Sequence, residues 1–227
     1  MISGPKNPVF AHTNTKERTN IIQINMDRSR ATLDLVHRYV RDEDIHLLII
    51  AEPNRKAALS QGWYVDEKMD AAIVVPSGKL AVRKHGRGSG YVWVETTHMV
   101  VYSCYITPSM EIREVTKYMA KLSTDTRRHR RKPVIVAGDL NAKSTGWGSL
   151  RDDRRGTLEA EWATQEGLMI ANEGDKPTFV RGAQMSHIDL TFCKENAATF
   201  IEEWRVLDEE TLGCHQLIRY VAASKVA

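Results

Sequence analysis

Val134-Ile135-Val136-Ala137 runs directly into Gly138-Asp139-Leu140-Asn141, and this junction is the most informative part of the chain. Four small or β-branched apolar residues in a row predict a buried strand. A carboxylate and an amide two positions apart at the end of such a strand can both point into one cleft. An Asp in this place can equally cap the next turn, so partners elsewhere in the chain must decide between a catalytic and a structural role.

Polar side chains also stand in or beside five other apolar runs. They are Asn25 and Asp27 after residues 21–24, Glu52 after residues 45–51, Tyr105 after residues 99–104, Asp189 within residues 188–192, and His215 before residues 217–221. Each one alone is more often a cap, a surface acid or a core residue. Their recurrence in the same kind of place favours a shared active site.

Composition is compatible with a single compact enzyme domain. The 227 residues are 42% hydrophobic, which is enough to bury one large core. The net charge of +3 is too small to indicate a nucleic-acid partner by itself. The three cysteines have no metal-ligand spacing, which favours a reducing compartment. No run approaches the roughly 18 apolar residues of a membrane span, so we expect no membrane contact.

Strand and helix patterns alternate along the chain, which predicts an α/β fold of two packed sheets with outer helices. Three helices are expected: one capped by Ser29, one capped by Ser109, and one that starts at Thr157 and stops at Gly167. Strands are expected at the apolar runs above and near residues 72–75, 91–95, 169–171 and 200–206.

The polar residues, taken in order, resemble those of the endonuclease/exonuclease/phosphatase family, and within it the endonuclease domain of non-LTR retrotransposons. The motifs that carry the resemblance are Gln23-Ile24-Asn25, Ile50-Ala51-Glu52-Pro53, Tyr105-Ile106-Thr107-Pro108, Gly138-Asp139-Leu140-Asn141 and Ser186-His187-Ile188-Asp189. Elements that insert into insect ribosomal or telomeric DNA are most similar, through Asn141-Ala142-Lys143-Ser144, Trp147-Gly148-Ser149 and Asp153-Arg154-Arg155-Gly156. The resemblance spans nearly the whole chain.

The resemblance implies a four-layer αββα sandwich whose two mainly antiparallel or mixed sheets are flanked by helices. Glu52 would bind Mg²⁺ or its substitute Mn²⁺, and Asp27 would add a ligand or hold a metal-bound water. Asp139 would activate the attacking water, with Asn141 and Asn25 in the same catalytic group. His215, held by Asp189, would stabilise the developing oxyanion. Tyr105 would donate its hydroxyl to the phosphate.

Basic and polar loop residues are the candidates for DNA contacts. They are Arg87, Lys143, Ser144, Trp147, Arg154 and Arg155 in the loops 79–90 and 143–156, with Ser186 and Thr191 on or beside a strand. Trp147 can alternatively anchor its own loop, and a run of charges can be a solvated face.

One position departs from the family. The residue before the catalytic histidine is normally an Asp that helps to form the metal site, whereas Cys214 precedes His215 here. A neutral thiol is a poor ligand for Mg²⁺, because hard cations prefer oxygen. The change is compatible with weakened metal binding, with a single metal at Glu52, or with an impaired enzyme. A cysteine nucleophile paired with His215 is the remaining alternative.

We therefore expect a flexible arm over residues 1–19 and a single endonuclease domain over residues 20–227. The expected activity is Mg²⁺-dependent nicking of one strand of double-stranded DNA, which leaves a 3′-hydroxyl primer for target-primed reverse transcription. The expected protein is nuclear, is fused to a reverse transcriptase and needs no small-molecule cofactor. The alternatives are a phosphatase of the same fold acting on phosphoinositides, sphingomyelin or nucleotides, and a catalytically weak DNA-targeting module.

Overall fold

The structure is a computed structural model that describes residues 17–129, 131–194 and 199–224. The three α-helices are α1 (Arg30–Asp42), α2 (Ile112–Thr126) and α3 (Arg154–Glu166). The strands are β1 (Glu17–Asn25), β2 (Leu47–Ala51), β3 (Trp63–Val65), β4 (Ala71–Val74), β5 (Lys84–Gly88), β6 (Tyr91–Glu95), β7 (Val100–Tyr105), β8 (Val134–Asp139), β9 (Leu168–Ile170), β10 (Phe179–Arg181), β11 (Gln184–Ser186), β12 (Asp189–Lys194), β13 (Thr199–Val206) and β14 (Ile218–Ser224).

Twelve of these strands form two six-stranded sheets, and β10 and β11 form a separate hairpin. The first sheet has the order β13-β14-β1-β2-β4-β3, and the second has the order β5-β6-β7-β8-β12-β9. In each sheet the two central strands are parallel, β1 with β2 and β7 with β8, and all other pairs are antiparallel. The carboxyl ends of each parallel pair therefore lie at one edge of the sheet.

The sheets pack face to face, and the helices cover their outer faces. Ile49 of β2 and Ile135 of β8 belong to the apolar cluster between the sheets. The outer face of the first sheet packs against Leu33 and Val36 of α1. The outer face of the second sheet packs against α2 and α3, with Trp162 among the buried residues. These layers are the predicted αββα sandwich, so the predicted fold class is confirmed.

The continuous apolar runs form the inner strands because both of their faces are covered. All residues of β2 and of β8 are buried, including Asp139 at the end of β8. A strand that is buried on both sides has no polar face, and its sequence loses the alternation that marks a half-exposed strand. None of the helices in the described part of the chain is long and apolar enough to cross a membrane.

Only one of the three predicted helix starts agrees with the structure. Ser29 caps α1 and accepts a hydrogen bond from the Thr32 amide at 3.2 Å. The prediction for α2 is wrong, because the helix starts directly after Glu111, whose side chain makes no capping hydrogen bond, and not after Ser109. The prediction for α3 is also wrong, because Asp153 caps the helix. The Asp153 carboxylate accepts from the Gly156 amide, so Thr157 lies inside the first turn.

Some boundaries and short strands were also not predicted. β1 begins at Glu17, so Arg18 and Thr19 belong to the first sheet and not to the predicted arm, whose residues 1–16 lie outside the described part of the chain. The strands β3, β5, β10 and β11 had no predictive pattern. β5 reads Lys-His-Gly-Arg-Gly, a composition typical of loops, and it forms a strand only because β6 pairs along its length.

Gly156 permits a close approach between α3 and the loop that follows Asp139. A Cβ atom at this glycine would lie 1.8 Å from the backbone oxygen of Lys143. The Lys143 oxygen also accepts a hydrogen bond from the Asp153 amide at 2.8 Å. The start of α3 therefore fixes the chain just beyond the end of β8, and only glycine fits there.

We predict that Gly156→Ala lowers the free energy of unfolding by about 2 kcal/mol or more, because the added methyl group overlaps backbone that cannot move independently. Denaturant unfolding measures the change. Gly146→Ala is the matched control, because a Cβ atom there would have no neighbour closer than 3.5 Å. Equal stability of the two variants would contradict the prediction.

Candidate active site

A cavity of about 620 Å³ opens at the edge of the sandwich where the parallel strands end. Residues from both sheets and from the β10–β11 hairpin line it. They are Asp27, Glu52, Tyr105, Pro108, Asp139, Asn141, Lys143, Phe179, Arg181, Gln184, Ser186, Ile188, Cys214 and His215. Most of the predicted catalytic and metal-binding residues thus share one cavity, as the sequence suggested.

Asn25 connects the acidic groups of the two sheets. Its Nδ2 atom donates to Asp139 Oδ2 at 2.9 Å and lies 3.1 Å from Glu52 Oε2. Its Oδ1 atom accepts from the Asp27 amide at 2.8 Å, which fixes the rotamer of the side chain. Because β1 and β2 are parallel and in register at Asn25 and Ala51, Glu52 emerges beside Asn25.

His215 and two carboxylates form the deepest part of the site. The Nδ1 atom of His215 lies 2.9 Å from Asp189 Oδ2, and its Nε2 atom lies 3.8 Å from Asp139 Oδ2. All three side chains are buried. Asp189 and Asp139 face each other across the antiparallel pair β12–β8. That register explains how two acids far apart in sequence reach one imidazole.

Thr178 binds the backbone of the segment that carries Asp189. Its fully buried hydroxyl accepts from the amides of Ile188 and Asp189, each at 3.1 Å. The next residue, Phe179, packs edge-on against the His215 ring at a centroid distance of 4.9 Å. The β10–β11 hairpin is therefore attached directly to the histidine and to the acid that orients it.

His215 and Asp139 face each other, and their surroundings raise the pKa of both groups for different reasons. Burial acts to lower the pKa of His215, but the carboxylates of Asp189, Asp139 and Glu52 outweigh it and raise that pKa to about 9. Burial, together with the negative charge of Asp189, raises the pKa of Asp139 above its usual value. His215 is therefore a cation at neutral pH, and its proton sits beside Asp139.

Tyr105 and Asn141 stand beside Asp139 with different hydrogen-bonding roles. Burial and then the charges of Glu52 and Asp139 raise the pKa of the Tyr105 phenol, which therefore remains a proton donor. The Asn141 amide nitrogen of the backbone donates to Asp139 Oδ1 at 3.1 Å. The Asn141 side chain donates to the Ile106 oxygen at 3.1 Å, so one of its two amide protons is already engaged.

Several residues of the site have strained backbone. Glu52, Asp27 and Asn141 have φ angles of 44°, 45° and 52°, in the left-handed region that non-glycine residues seldom adopt. Each such residue costs about 1 kcal/mol or more, and the conformation persists only where neighbours impose it. The strain is concentrated at the strand ends that carry the polar side chains.

Among the candidates for DNA contacts, two remain at the cavity. Lys143 is exposed and Ser186 half-buried, and both line the cavity wall. Arg154 is exposed at the start of α3 but does not line the cavity. Arg87 lies elsewhere, in a separate surface cavity next to α2.

The side chains of the other four candidates are buried or engaged within the protein, which does not favour a direct contact with DNA. Trp147 is buried and its indole N–H donates to the Ala142 oxygen, as expected for an anchor of its own loop. Thr191 is fully buried and donates to Gln23. The buried Ser144 hydroxyl accepts from the Gly146 amide. The Arg155 guanidinium donates to backbone oxygens of the loop after β7.

Residues that the sequence did not single out also belong to the site. Arg181 and Gln184 of the hairpin line the cavity, and Arg28 lies within 3.9 Å of Glu52. The hairpin strands are three residues each and lack an apolar run, so nothing marked them. Arg28 follows the Asn25-Met26-Asp27 motif directly, and this position in the sequence could have indicated that it belongs to the site.

Two groups of residues could hold a metal ion. Among the described residues, Asp139, Asp189 and His215 offer ligand atoms that lie within 4.8 Å of one another. Glu52 and Asp27 offer carboxylate oxygens at the wall of the same cavity. Cys214 lines this wall as well, where it offers a sulfur atom and no hard oxygen.

Comparisons with known proteins agree with this geometry. The endonuclease domain of TRAS1, a telomere-specific non-LTR retrotransposon, is 27% identical, superimposes with a TM-score of 0.79, and is covered over 99% of its length by 92% of this chain. An AP endonuclease from Archaeoglobus fulgidus is 12% identical with a TM-score of 0.71 over 92% of this chain and 100% of its own length, and it shows the fold alone. No curated protein matches the chain in sequence.

The fold is that of the endonuclease/exonuclease/phosphatase class, whose nucleases include the TRAS1 domain. Within that class, the chain belongs to the family described as Endonuclease-reverse transcriptase, whose model matches residues 99–219, more than half of the 227 residues. The resemblance to the endonuclease domain of non-LTR retrotransposons is thereby confirmed.

We predict that the imidazole of His215 in the metal-free protein titrates near pH 9, because Asp189 accepts its Nδ1 proton and Asp139 lies on its other side. Its folded pKa is above the ordinary value of 6.5, so its stabilising contribution is complete below about pH 6.5 and is lost as the pH rises through about 9. Histidine NMR titration measures this value.

Asp189→Asn is the matched variant for the same titration. It removes the nearest charge while keeping the size of the side chain, so we expect the His215 pKa to fall towards the value that burial favours. A wild-type His215 that titrates at or below 6.5, or an unchanged value in Asp189→Asn, would contradict the assignment.

Proposed function

We propose that this chain nicks one strand of double-stranded DNA in a reaction that depends on Mg²⁺. The nick leaves a 3′-hydroxyl that a reverse transcriptase within the same polyprotein extends during retrotransposition. The observation that carries the proposal is the convergence of Glu52, Asp139 and His215 on one cavity. The likeness to the TRAS1 endonuclease domain supports a DNA target. Because such a target lies in the nucleus, a nuclear location is part of the proposal.

Mg²⁺, or Mn²⁺ in its place, fits Glu52 better than it fits the group at His215. Hard cations prefer oxygen ligands, and a metal-bound histidine must be neutral. Glu52 and Asp27 provide carboxylate oxygens, whereas the raised pKa of His215 keeps a proton on its ring. Glu52 would hold the ion, with Asp27 as a further ligand or as the holder of a bound water. When bound, the ion supplies positive charge that offsets the charge developing on the phosphate.

Asp139 is placed to orient the attacking water and to accept its proton. The Asn25 side chain and the Asn141 amide donate to its two oxygens, which fixes the plane of the carboxylate. The neighbouring His215 cation favours the charged form, against burial and the charge of Asp189. A base with a pKa moved towards neutrality is more effective than an ordinary surface carboxylate.

His215 supplies positive charge where the pentacovalent oxyanion forms. Asp189 holds Nδ1, so the Nε2 proton points towards Asp139 and the cavity. Tyr105 keeps its phenolic proton and can donate it in a hydrogen bond to the same phosphate. Preorganised donors of this kind need no rearrangement when charge develops in the transition state.

The cavity mouth suits a nucleic-acid backbone. Lys143 and Arg181 line it and are exposed, so their cations can contact phosphates next to the cleaved bond. A phosphatase of the same fold would use the same central residues. Membership of the Endonuclease-reverse transcriptase family favours the nuclease over that alternative.

We predict that the wild-type protein converts supercoiled plasmid into open circles when Mg²⁺ is present, and that His215→Ala lowers the nicking rate about 100-fold or more, because it removes the only histidine described in the cavity. Agarose electrophoresis with and without EDTA measures the rate. His37→Ala, an exposed position on α1, is the matched control and should nick like the wild type.

Three results would count against the proposal. Equal nicking by wild type and His215→Ala would indicate contamination. Wild-type binding of the plasmid without nicking would favour the DNA-targeting module. Release of phosphate from inositol lipids or nucleotides without nicking would favour the phosphatase.

We also predict that Cys214→Ser nicks DNA at close to the wild-type rate. The thiol lines the cavity, but Asp139 and His215 account for the chemistry without a sulfur nucleophile. The same plasmid assay measures the rate. Loss of nicking in this variant, with an unchanged melting temperature, would instead give the thiol a direct role.

A further inference from the structure

Hydrogen bonds fix the backbone of Arg28 beside Glu52. Arg28 follows Asp27, and both residues have left-handed backbone, with φ angles of 45° for Asp27 and 55° for Arg28. The backbone amide of Arg28 donates to the backbone oxygen of Glu52 at 2.9 Å. The backbone oxygen of Arg28 accepts from the Asn54 side chain at 3.0 Å. These bonds hold a conformation that is unfavourable for arginine in isolation, and they fix the direction of its side chain.

The Arg28 guanidinium is shared between two acids. It donates to Asp70 Oδ1 at 2.5 Å and to the Met69 backbone oxygen at 2.9 Å, and its Nη2 atom lies 3.9 Å from Glu52 Oε1. The other oxygen of Glu52 faces the Asn25 amide. The three charged side chains are between 21% and 30% exposed, so water screens them only partly.

This arrangement places a fixed positive charge next to the carboxylate that we assign to the metal. A cation held at Glu52 is repelled by Arg28 and attracted by Asp70. The Asp70 carboxylate is the nearest anion to the guanidinium, so it offsets part of the charge that Glu52 and a bound ion would otherwise experience. The two residues should therefore act on metal affinity in opposite directions.

We propose that Arg28 and Asp70 are positioning residues that set the affinity of the Glu52 site for divalent cations. Arg28 holds the Glu52 carboxylate against Asn25 and lowers the affinity for the metal, and Asp70 limits that lowering. The inference rests on the proposed metal site at Glu52, and it is independent of which phosphodiester is cleaved.

The test measures the binding of Mn²⁺ to the whole chain without DNA, by calorimetry and by electron paramagnetic resonance. At the screening of bulk water, a unit charge about 8 Å away changes the affinity for a divalent ion by roughly fivefold. Because the ion would lie beyond the Glu52 oxygen as seen from Arg28, we expect a factor of about three or more here. Arg28→Gln should bind Mn²⁺ more tightly by at least that factor. Asp70→Asn should bind it more weakly by a similar factor. The double variant should return close to the wild-type affinity.

Arg30→Gln is the matched control. Arg30 forms an exposed ion pair with Asp34 at 3.1 Å, two positions along the chain from Arg28, and its loss should leave Mn²⁺ binding unchanged. Thermal melting shows whether each variant is folded. Glu52→Gln should abolish the binding signal.

Opposite shifts that cancel in the double variant support the proposal. If both single variants weaken Mn²⁺ binding, the pair has only a structural role and the proposal is overturned. If neither changes it, the charges do not act on the site and the proposal is overturned as well. If Glu52→Gln binds Mn²⁺ like the wild type, the metal site itself is wrong, and that result identifies a failure of the proposed function.

Discussion

The candidate active site depends on the side-chain amide of Asn25, which links carboxylates of the two sheets. Its nitrogen stands between Glu52 of the first sheet and Asp139 of the second, at 3.1 and 2.9 Å. Without a donor between them, two carboxylates this close would repel each other. Deeper in the sandwich, Gln23 donates to the Leu190 oxygen and accepts from Thr191. Apolar packing is not directional, so these hydrogen bonds help to align one sheet with the other, as does the bond from Ser103 to the Ile50 oxygen.

The acidic residues of the cavity have different tasks because each has a different partner. Asp189 is bound to His215, Asp139 accepts from Asn25 and from the Asn141 amide, and Glu52 lies near Arg28. Burial raises the pKa of Asp139, whereas the carboxylates around His215 keep that ring charged. Environments that shift the pKa values of neighbouring groups, as at Asp139 and His215, allow the proposed base and the proposed cation to stand side by side.

Strands with long apolar runs were predictable, and short polar strands were not. The runs before Asn25, Glu52 and Asp139 are buried on both faces, so their composition alone marks them. β5 and the β10–β11 hairpin are strands because of their neighbours. The sequence also misplaced two helix starts, because α2 begins without a capping side chain and α3 uses Asp153 in place of Thr157.

The amino-acid pattern alone was enough to show which polar residues follow the buried strands, and hence the class of enzyme and the candidate residues of its site. It could not determine where loop side chains point. Trp147 and Thr191 are of residue types that contact DNA, yet both are buried here, because burial depends on what packs above them. Only the tertiary structure placed Arg28 against Glu52 and Phe179 against His215. Those contacts join residues far apart along the chain, and strand register, which no local pattern encodes, brings them together.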